Sequence, residues 1–356
     1  MKVGILGLPQ AGKKTLLRLL TGVDAAAMAP SASGVPGICP VRDPRMDKLV
    51  GLYKPKKTTP ARMELLLLPD LTKDSAKNQE LFKALLLMDV LALVVRAFPD
   101  DTVFHVDGSV DPLRDLDYAQ AEFLLNDLLF IEKRLQRLTK DKRADSGPEK
   151  EKEQALLQRL QAHLNDNQPL RTLALAPDER KLLSSAPLLT RKPVVVVVNA
   201  GEEGVAASTL ASEVQQRWPS DGLKVVQVSA KIEEELAQLE DAAERNAFLA
   251  SLGLAESAID RLSRVVYDAL GLIAYFTVGP DEVRAWTVRR GALAPEAGGA
   301  IHSDIERGFI RAEQMRYEDL ISLGSEQAVA AAGKASLKGK EYVVADGDIL
   351  NFRFNV

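Results

Sequence analysis

The sequence predicts an α/β protein built on a parallel sheet, and three observations carry that expectation. A glycine-bearing loop, Gly7-Leu8-Pro9-Gln10-Ala11-Gly12-Lys13-Lys14-Thr15, lies between a short apolar run, Val3–Leu6, and an amphipathic segment, Thr15–Leu20. Four further apolar runs, Glu64–Leu68, Val90–Val95, Val194–Val198 and Val225–Val228, recur between stretches of helical periodicity. Continuous apolar runs of this length are the pattern of strands covered on both faces. From about Ile273 the chain changes to short segments divided by Gly and Pro, which indicates a separate small α+β unit.

The loop carries the chemistry. Strand, glycine loop and helix in that order form the context in which G-x-x-x-x-G-K-[ST] binds phosphate. Gly7 and Gly12 let backbone N–H groups turn toward an anion beside a helix N-terminus. Lys13 is placed to reach the β- and γ-phosphates of a nucleotide. The candidate phosphate-binding residues are Gly7, Gln10, Ala11, Gly12, Lys13, Lys14 and Thr15. The eighth position of the pattern calls for a hydroxyl that ligates Mg²⁺. Here it is Lys14, so the loop is equipped for phosphate and badly equipped for the metal.

Between Asp117 and about Ser185 two long, charged, helically periodic stretches, Tyr118–Leu138 and Lys150–Leu164, flank a polar turn at Lys140–Pro148. Because buried strands resume at Val194, this reads as a helical hairpin inserted into the α/β domain. The expected organisation is a P-loop nucleotide-binding domain in two parts, 1–117 and 190–273, a helical coiled-coil insertion at 118–189, and a C-terminal domain at 274–356.

Composition narrows the function classes. A chain of 356 residues is long for one domain, and 46% apolar residues suffice for substantial cores. Lys+Arg 46 against Asp+Glu 50 leaves a slightly acidic protein, so bulk attraction to DNA or RNA is not expected and any such contact is a local patch. The single cysteine, Cys39, rules out an internal disulfide and a Cys-based metal cluster, which fits a reducing cytosol. The chain opens directly on strand and loop, so no signal peptide is expected. The most apolar run, Ala84–Ala97, is broken by Asp89 and Arg96 and is too short to span a bilayer. A cytoplasmic protein with no membrane partner is expected. His105, His163 and His302 are scattered, and no Cys/His or Ser/His/Asp constellation supports zinc or protease chemistry.

With these pieces placed, the chain resembles the YchF/Obg-like ATPases, a family of P-loop proteins, over nearly its whole length. The likeness is strongest in Tyr275-Phe276-Thr277, Glu282-Val283-Arg284-Ala285-Trp286-Thr287, Ile301-His302, Gly308-Phe309-Ile310-Arg311-Ala312 and Asp346-Gly347-Asp348, continuing through Asn351–Val356. Asp43-Pro44-Arg45 and His105-Val106-Asp107-Gly108 match as well. The resemblance implies a Ras-like P-loop domain, an inserted coiled coil and a C-terminal β-grasp (TGS) domain. It also implies binding of ATP or another purine nucleotide and association with the ribosome, through its RNA or proteins.

Carried over residue by residue, the resemblance separates two halves of the nucleotide site. The family's base-reading Asn-x-x-Glu is kept as Asn199-Ala200-Gly201-Glu202, and the glutamate goes with adenine, whose N6 amine is a donor. Ser229-Ala230 match the remaining base-side loop. The bland alternative leaves Asn199 ending a strand and Glu202 solvated. On the metal side the family's Asp-x-x-Gly falls on Leu67-Leu68-Pro69-Asp70, with Leu67 for the Asp and Asp70 for the Gly. Read without the family, Asp70 also ends a hydrophobic strand as a metal-binding acid does. The threonine that ligates Mg²⁺ in the family falls at about Ser31, so Ser31 and Asp70 are the possible metal ligands. Lys73–Phe82 lacks the glycines of the family's mobile switch loop. His105 matches a histidine proposed as catalytic in the family, and its alternative is a packing or capping residue near a strand end.

Two other surfaces carry residues suited to RNA contact. Lys133, Arg134, Arg137, Lys140, Lys142 and Arg143 lie near the hairpin tip among Glu132, Asp141 and Asp145, so a solvated coiled-coil face competes with a phosphate-binding one. Arg284, Trp286, Arg307, Phe309 and Arg311 mix stacking and phosphate-binding types, against a reading of Trp286 and Phe309 as core. The expectation is a purine-nucleotide binder, ATP before GTP, associated with translation, with Mg²⁺ poorly held and hydrolysis weak or absent. Lys14 admits two readings: its ammonium stands in for part of the missing divalent charge and makes binding metal-independent, or it swings into solvent and nothing replaces the metal. The alternatives are a pseudo-ATPase scaffold without nucleotide, and an active ATPase or GTPase with a rearranged Mg²⁺ site.

Overall fold

The computed structural model describes residues 2–25, 27, 34–140, 148–202, 209–218 and 222–355. They divide into two compact units, Met1–Gly37 with Glu64–Leu262, and Ile38–Met63 with Ser263–Val356. Among the described residues the strands in chain order are β1 (Lys2–Leu6), β2 (Val35–Pro40), β3 (Lys57–Thr59), β4 (Arg62–Leu67), β5 (Val90–Ala97), β6 (Val194–Ala200), β7 (Leu223–Val228), β8 (Leu272–Thr277), β9 (Glu282–Arg289), β10 (Phe309–Arg316), β11 (Ser336–Lys338) and β12 (Asp348–Phe354).

The first sheet has the order β2-β4-β1-β5-β6-β7. The pairs β1/β4, β1/β5, β5/β6 and β6/β7 are parallel. The five apolar runs of the sequence are β1, β4, β5, β6 and β7, the last at one edge of the sheet, and β5 and β6 are buried almost throughout. Leu6, Leu91, Leu93, Val194, Val196 and Val198 join Leu81, Leu85 and Phe123 from flanking helices in one core. Burying these side chains, at about 1.5–3 kcal/mol for each large aliphatic or aromatic one, is what fixes the sheet under the loop.

The hairpin helices run Pro112–Lys140 and Pro148–Asn165. Their own core holds Leu124, Ile131, Leu156, Leu157, Leu160 and Leu164. The first helix begins six residues before the periodic stretch starts, because Pro112 is tolerated in a first turn whose N–H groups lack helical partners. Buried Asp127 ties this helix to the approach to β6, accepting from Leu189 N–H and Thr190 N–H at 2.8 Å each and from the Thr190 hydroxyl at 2.7 Å. Near the tip, Arg134 pairs with Glu153 of the facing helix at 2.7 Å, while Lys133, Arg137 and Lys140 are exposed. Asp141, Lys142, Arg143 and Asp145 lie outside the described residues.

The second unit carries the sheet β11-β10-β12-β8-β9-β3, crossed by the helix Ala294–Ile301, in the expected β-grasp arrangement. Residues 38–63, assigned from sequence to the first part of the nucleotide-binding domain, pack in this unit. β3 pairs in parallel with β9, Lys57 opposite Glu282. Arg45 is bound by both Asp43, at 2.7 Å, and Asp346, at 2.9 Å, and its guanidinium lies 5.3 Å from the centre of the Phe276 ring. The matching stretches Asp43-Pro44-Arg45 and Asp346-Gly347-Asp348 thus meet across 301 residues of sequence. Phe309 is buried and packs edge-to-face on Phe352, and Trp286 is packed against the same core with its indole N–H on the Thr277 hydroxyl. Phe309 is therefore core, and Trp286 is partly buried with the Arg284 guanidinium 3.7 Å from its ring centre.

Candidate functional site

The carboxyl ends of β1, β4, β6 and β7 converge on one side of the first sheet, the side on which ligands sit in open α/β sheets. The loop after β1 leads into the helix Lys13–Thr21. Gly7 has φ 152°, and a Cβ there would stand 2.3 Å from the Val94 carbonyl oxygen. Gly12 has φ 90°, and a Cβ there would stand 2.2 Å from the Asn199 amide nitrogen. Neither position admits another residue without distortion. Gln10 between them is also left-handed, at φ 61°. Gly12 is the N-cap of the helix, so no side chain occupies the N–H groups of the first turn, and they are left to an anion.

Lys13 is buried, with 5% of its surface exposed. Its ammonium donates to the Leu8 carbonyl inside the loop and forms an ion pair with Asp70 Oδ1 at 2.8 Å. Burial pushes its pKa below the ordinary lysine value, Asp70 acts against that shift, and the neighbouring charge of Lys14 adds to it. Lys14 itself is exposed on the first helical turn, and Thr15 is half-buried.

Asp70 is held from both sides. Leu68 N–H donates to Ile5 O at 2.9 Å, and Leu71 N–H donates to Gly7 O at 3.0 Å. Leu68 and Leu71 are both buried, and Pro69 between them restricts the backbone. Leu67 is buried at the end of β4 and offers no ligand atom. Beyond, the segment 72–78 is fastened to the long helix. Asn78, fully buried, accepts from Thr72 N–H and donates to Thr72 O, both at 2.9 Å, and donates to Glu122 at 3.0 Å. The Ser75 hydroxyl donates to the same carboxylate at 2.7 Å.

On the base side, Asn199 ends β6 as a buried hub. Its amide nitrogen donates to Ala11 O at 3.1 Å, and its amide oxygen accepts from Ala230 N–H at 3.2 Å, joining the phosphate loop to the loop after β7. Ser229 caps the helix Ala230–Gln238. Glu202 forms an ion pair with Lys231, two residues past Ser229, which raises the lysine pKa. Asn199, Ser229, Ala230 and the loop therefore come together, with Glu202 linked to them through Lys231.

His105 is placed differently. It is buried beside Leu8, Pro9, Ala11 and Leu71 around a cavity of only about 10 Å³. Its Nδ1 accepts from Asp107 N–H at 3.2 Å, and its Nε2 lies 2.9 Å from Asp115 Oδ2. With Nδ1 accepting, a neutral ring carries its proton on Nε2 and donates it to Asp115. Both nitrogens are thus engaged. Arg96 anchors the loop leading to His105 by donating to the carbonyls of Phe98, Asp100 and Val103. His105, Asp107 and Asp115 bring three potential ligand atoms within 4.8 Å, but as bonded the histidine has no lone pair to give. Ser31 lies outside the described residues. His163 bonds the Thr172 hydroxyl, and His302 caps the helix Ser303–Arg307.

Among the described residues, the donor set of the loop suits a phosphate better than Mg²⁺. The loop offers an anion the uncapped helix N-terminus at Gly12 and the Lys13 ammonium, with Lys14 nearby on the first turn. The positions that would hold the ion present the exposed ammonium of Lys14 and the buried Leu67, and the carboxylate of Asp70 is already neutralised by Lys13. Sequence reasoning missed Asn78, Glu122 and Asp127. The bonds of Asn78 to Glu122 and of Asp127 to Leu189 and Thr190 span 44 to 63 residues, and no local pattern marks them.

Known proteins resemble this chain along its whole length. Residues 272–355 match the family model YchF-GTPase_C, described as "Protein of unknown function (DUF933)". The "Ribosome-binding ATPase YchF" of Bacillus subtilis is 40% identical, covering 100% of both chains. "Obg-like ATPase 1" of Oryza sativa subsp. japonica is 36% identical over 100% of this chain and 92% of its own. Among solved structures, the Schizosaccharomyces pombe YchF GTPase superposes with a TM-score of 0.83 at 33% identity, covering 99% of this chain and 97% of that one.

Proposed function

This chain belongs to the YchF/Obg-like ATPase family, and we propose that it binds a purine nucleotide, ATP before GTP, without depending on Mg²⁺, and associates with the ribosome. The observation that carries the nucleotide reading is Asn199, whose one amide holds Ala11 of the phosphate loop and Ala230 of the base-side loop in register. Glu202 supplies a carboxylate suited to the adenine N6 amine once Lys231 gives way. The ribosome reading rests on the relatives, named ribosome-binding ATPases at 38–40% identity. Among the described residues no helix is long and apolar enough to cross a membrane, and a cytoplasmic setting agrees with that partner.

A bound nucleotide would be held by the N–H groups of Gly7–Gly12 and the first helical turn, with Lys13 on its phosphates and Lys14 adding charge. Phosphoryl transfer draws on a metal and positioned cations to neutralise developing charge. With Lys14 and Leu67 at the metal positions and both nitrogens of His105 engaged, hydrolysis is weak or absent, and the nucleotide is a structural ligand or slow switch. The bonds of Asn78 and Glu122, which fasten the segment after β4, support that reading. Two other readings draw on the Lys13–Asp70 pair. A lysine already neutralised favours a scaffold without nucleotide, and a carboxylate at the loop favours a rearranged metal site. Fluorescent ATP and GTP analogues titrated into the full chain separate binding from scaffold. Phosphate release compared with Lys13→Ala separates a slow ligand from an enzyme, since Mg²⁺-dependent turnover abolished by the substitution refutes our reading.

A further inference from the structure

We propose that Asp70 makes this loop selective for a nucleoside diphosphate over the corresponding triphosphate, its carboxylate holding the place on Lys13 that a terminal phosphate would take. The inference rests on the nucleotide reading above and names the ligand class of the same site.

Three observations carry it. Lys13 sits where the lysine of such a loop meets the β- and γ-phosphates, and the anion on it here is Asp70 at 2.8 Å. The ammonium has three donors. One is spent on Leu8 O and one on Asp70, so a single donor remains for a ligand. Finally, Asp70 is built in rather than adventitious. The backbone bonds of Leu68 to Ile5 and of Leu71 to Gly7 clamp it, and both leucines are buried.

A diphosphate needs the loop N–H groups and the remaining donor of Lys13. The terminal phosphate of a triphosphate meets the half-exposed Asp70 carboxylate, of like charge, on the same buried ammonium, and the two compete for it. Lys14, exposed on the first turn, is the other cation acting on Lys13. The discrimination is therefore a repulsive one, directed against the longer ligand.

The test is calorimetric titration of the full chain with ADP and with ATP in excess EDTA, for the wild type and for Asp70→Asn. Wild type is expected to bind ADP about tenfold or more tighter than ATP, and Asp70→Asn to bring ATP to within about threefold of ADP while ADP changes little. Equal affinities in the wild type overturn the proposal, and that comparison needs no variant to fold. A wild-type preference for ADP that persists unchanged in Asp70→Asn removes Asp70 as its cause. In a parallel titration with Mg²⁺ in place of EDTA, ATP binding that the wild type shows only with Mg²⁺ and that Asp70→Asn loses makes Asp70 a metal ligand instead. If neither nucleotide binds either protein, the nucleotide reading itself falls.

Discussion

Lys13 and Asp70 lie 2.8 Å apart, so the one buried cation of the phosphate loop is already partnered by a carboxylate from the segment after β4. That pair stands beside two features of the sequence, Lys14 at the eighth position of the loop pattern and Leu67 where the resemblance implies a metal-binding Asp.

The first prediction concerns pH. Burial sets the Lys13 pKa below the ordinary lysine value, and Asp70 raises it against that burial. Binding that needs the Lys13 ammonium is therefore lost on the alkaline side, earlier than an ordinary lysine would dictate. Asp70→Asn removes the raising influence and moves the loss to lower pH. Stability runs the other way. A base with a folded pKa below its unfolded one makes the fold more stable as pH rises from the folded value to the unfolded one. Nucleotide affinity and thermal midpoint measured against pH should diverge.

Asn199→Ala deletes both bonds of the hub and leaves Ala11 O and Ala230 N–H without their partner. A loss of about 1–3 kcal/mol in denaturant unfolding is expected, with weaker nucleotide binding. Asn199→Asp keeps the acceptor for Ala230 and sets an oxygen against Ala11 O, so it should recover only part of the loss. Unchanged stability in Asn199→Ala would show that the two loops hold their positions without it.

Gly12→Ala places a Cβ 2.2 Å from the Asn199 amide nitrogen at a left-handed φ of 90°. Nucleotide affinity should fall sharply and stability should fall with it, because the loop and Asn199 cannot both keep their places. Gly22→Ala is the control. Its φ of 74° is similar, but nothing lies within 4 Å of the added Cβ. It should cost stability and spare binding.

In the second unit, Arg45→Ala removes the partner of both Asp43 and Asp346. Asp346 is partly exposed, so the expected loss is about 2 kcal/mol rather than that of a fully buried network. Arg45→Lys keeps the charge but not the planar fork and should restore less than half of it. Denaturant unfolding of the two variants measures both.

Much of the fold is legible in the sequence because its signals are local. Five of the six strands of the first sheet are apolar runs, and the hairpin helices show their period over about twenty residues. β2, with Pro36 and Pro40 inside it, gives no such run. The packing of residues 38–63 with the C-terminal strands depends on β3 meeting β9 and on Arg45 meeting Asp346, pairings between remote segments. At the site, residue types pointed to the loop and to Asn199. That Asn199 is a two-way hub, that both His105 nitrogens are bound, and that Lys13 meets Asp70 are facts of geometry that spacing cannot express.

The central claim is nucleotide binding that does not need a divalent metal, and the most direct measurement is adenine-nucleotide affinity of the full chain in Mg²⁺ and then in excess EDTA. Affinity that survives chelation, within about threefold, is the expected result. Binding that appears only with Mg²⁺ and disappears on chelation would contradict it.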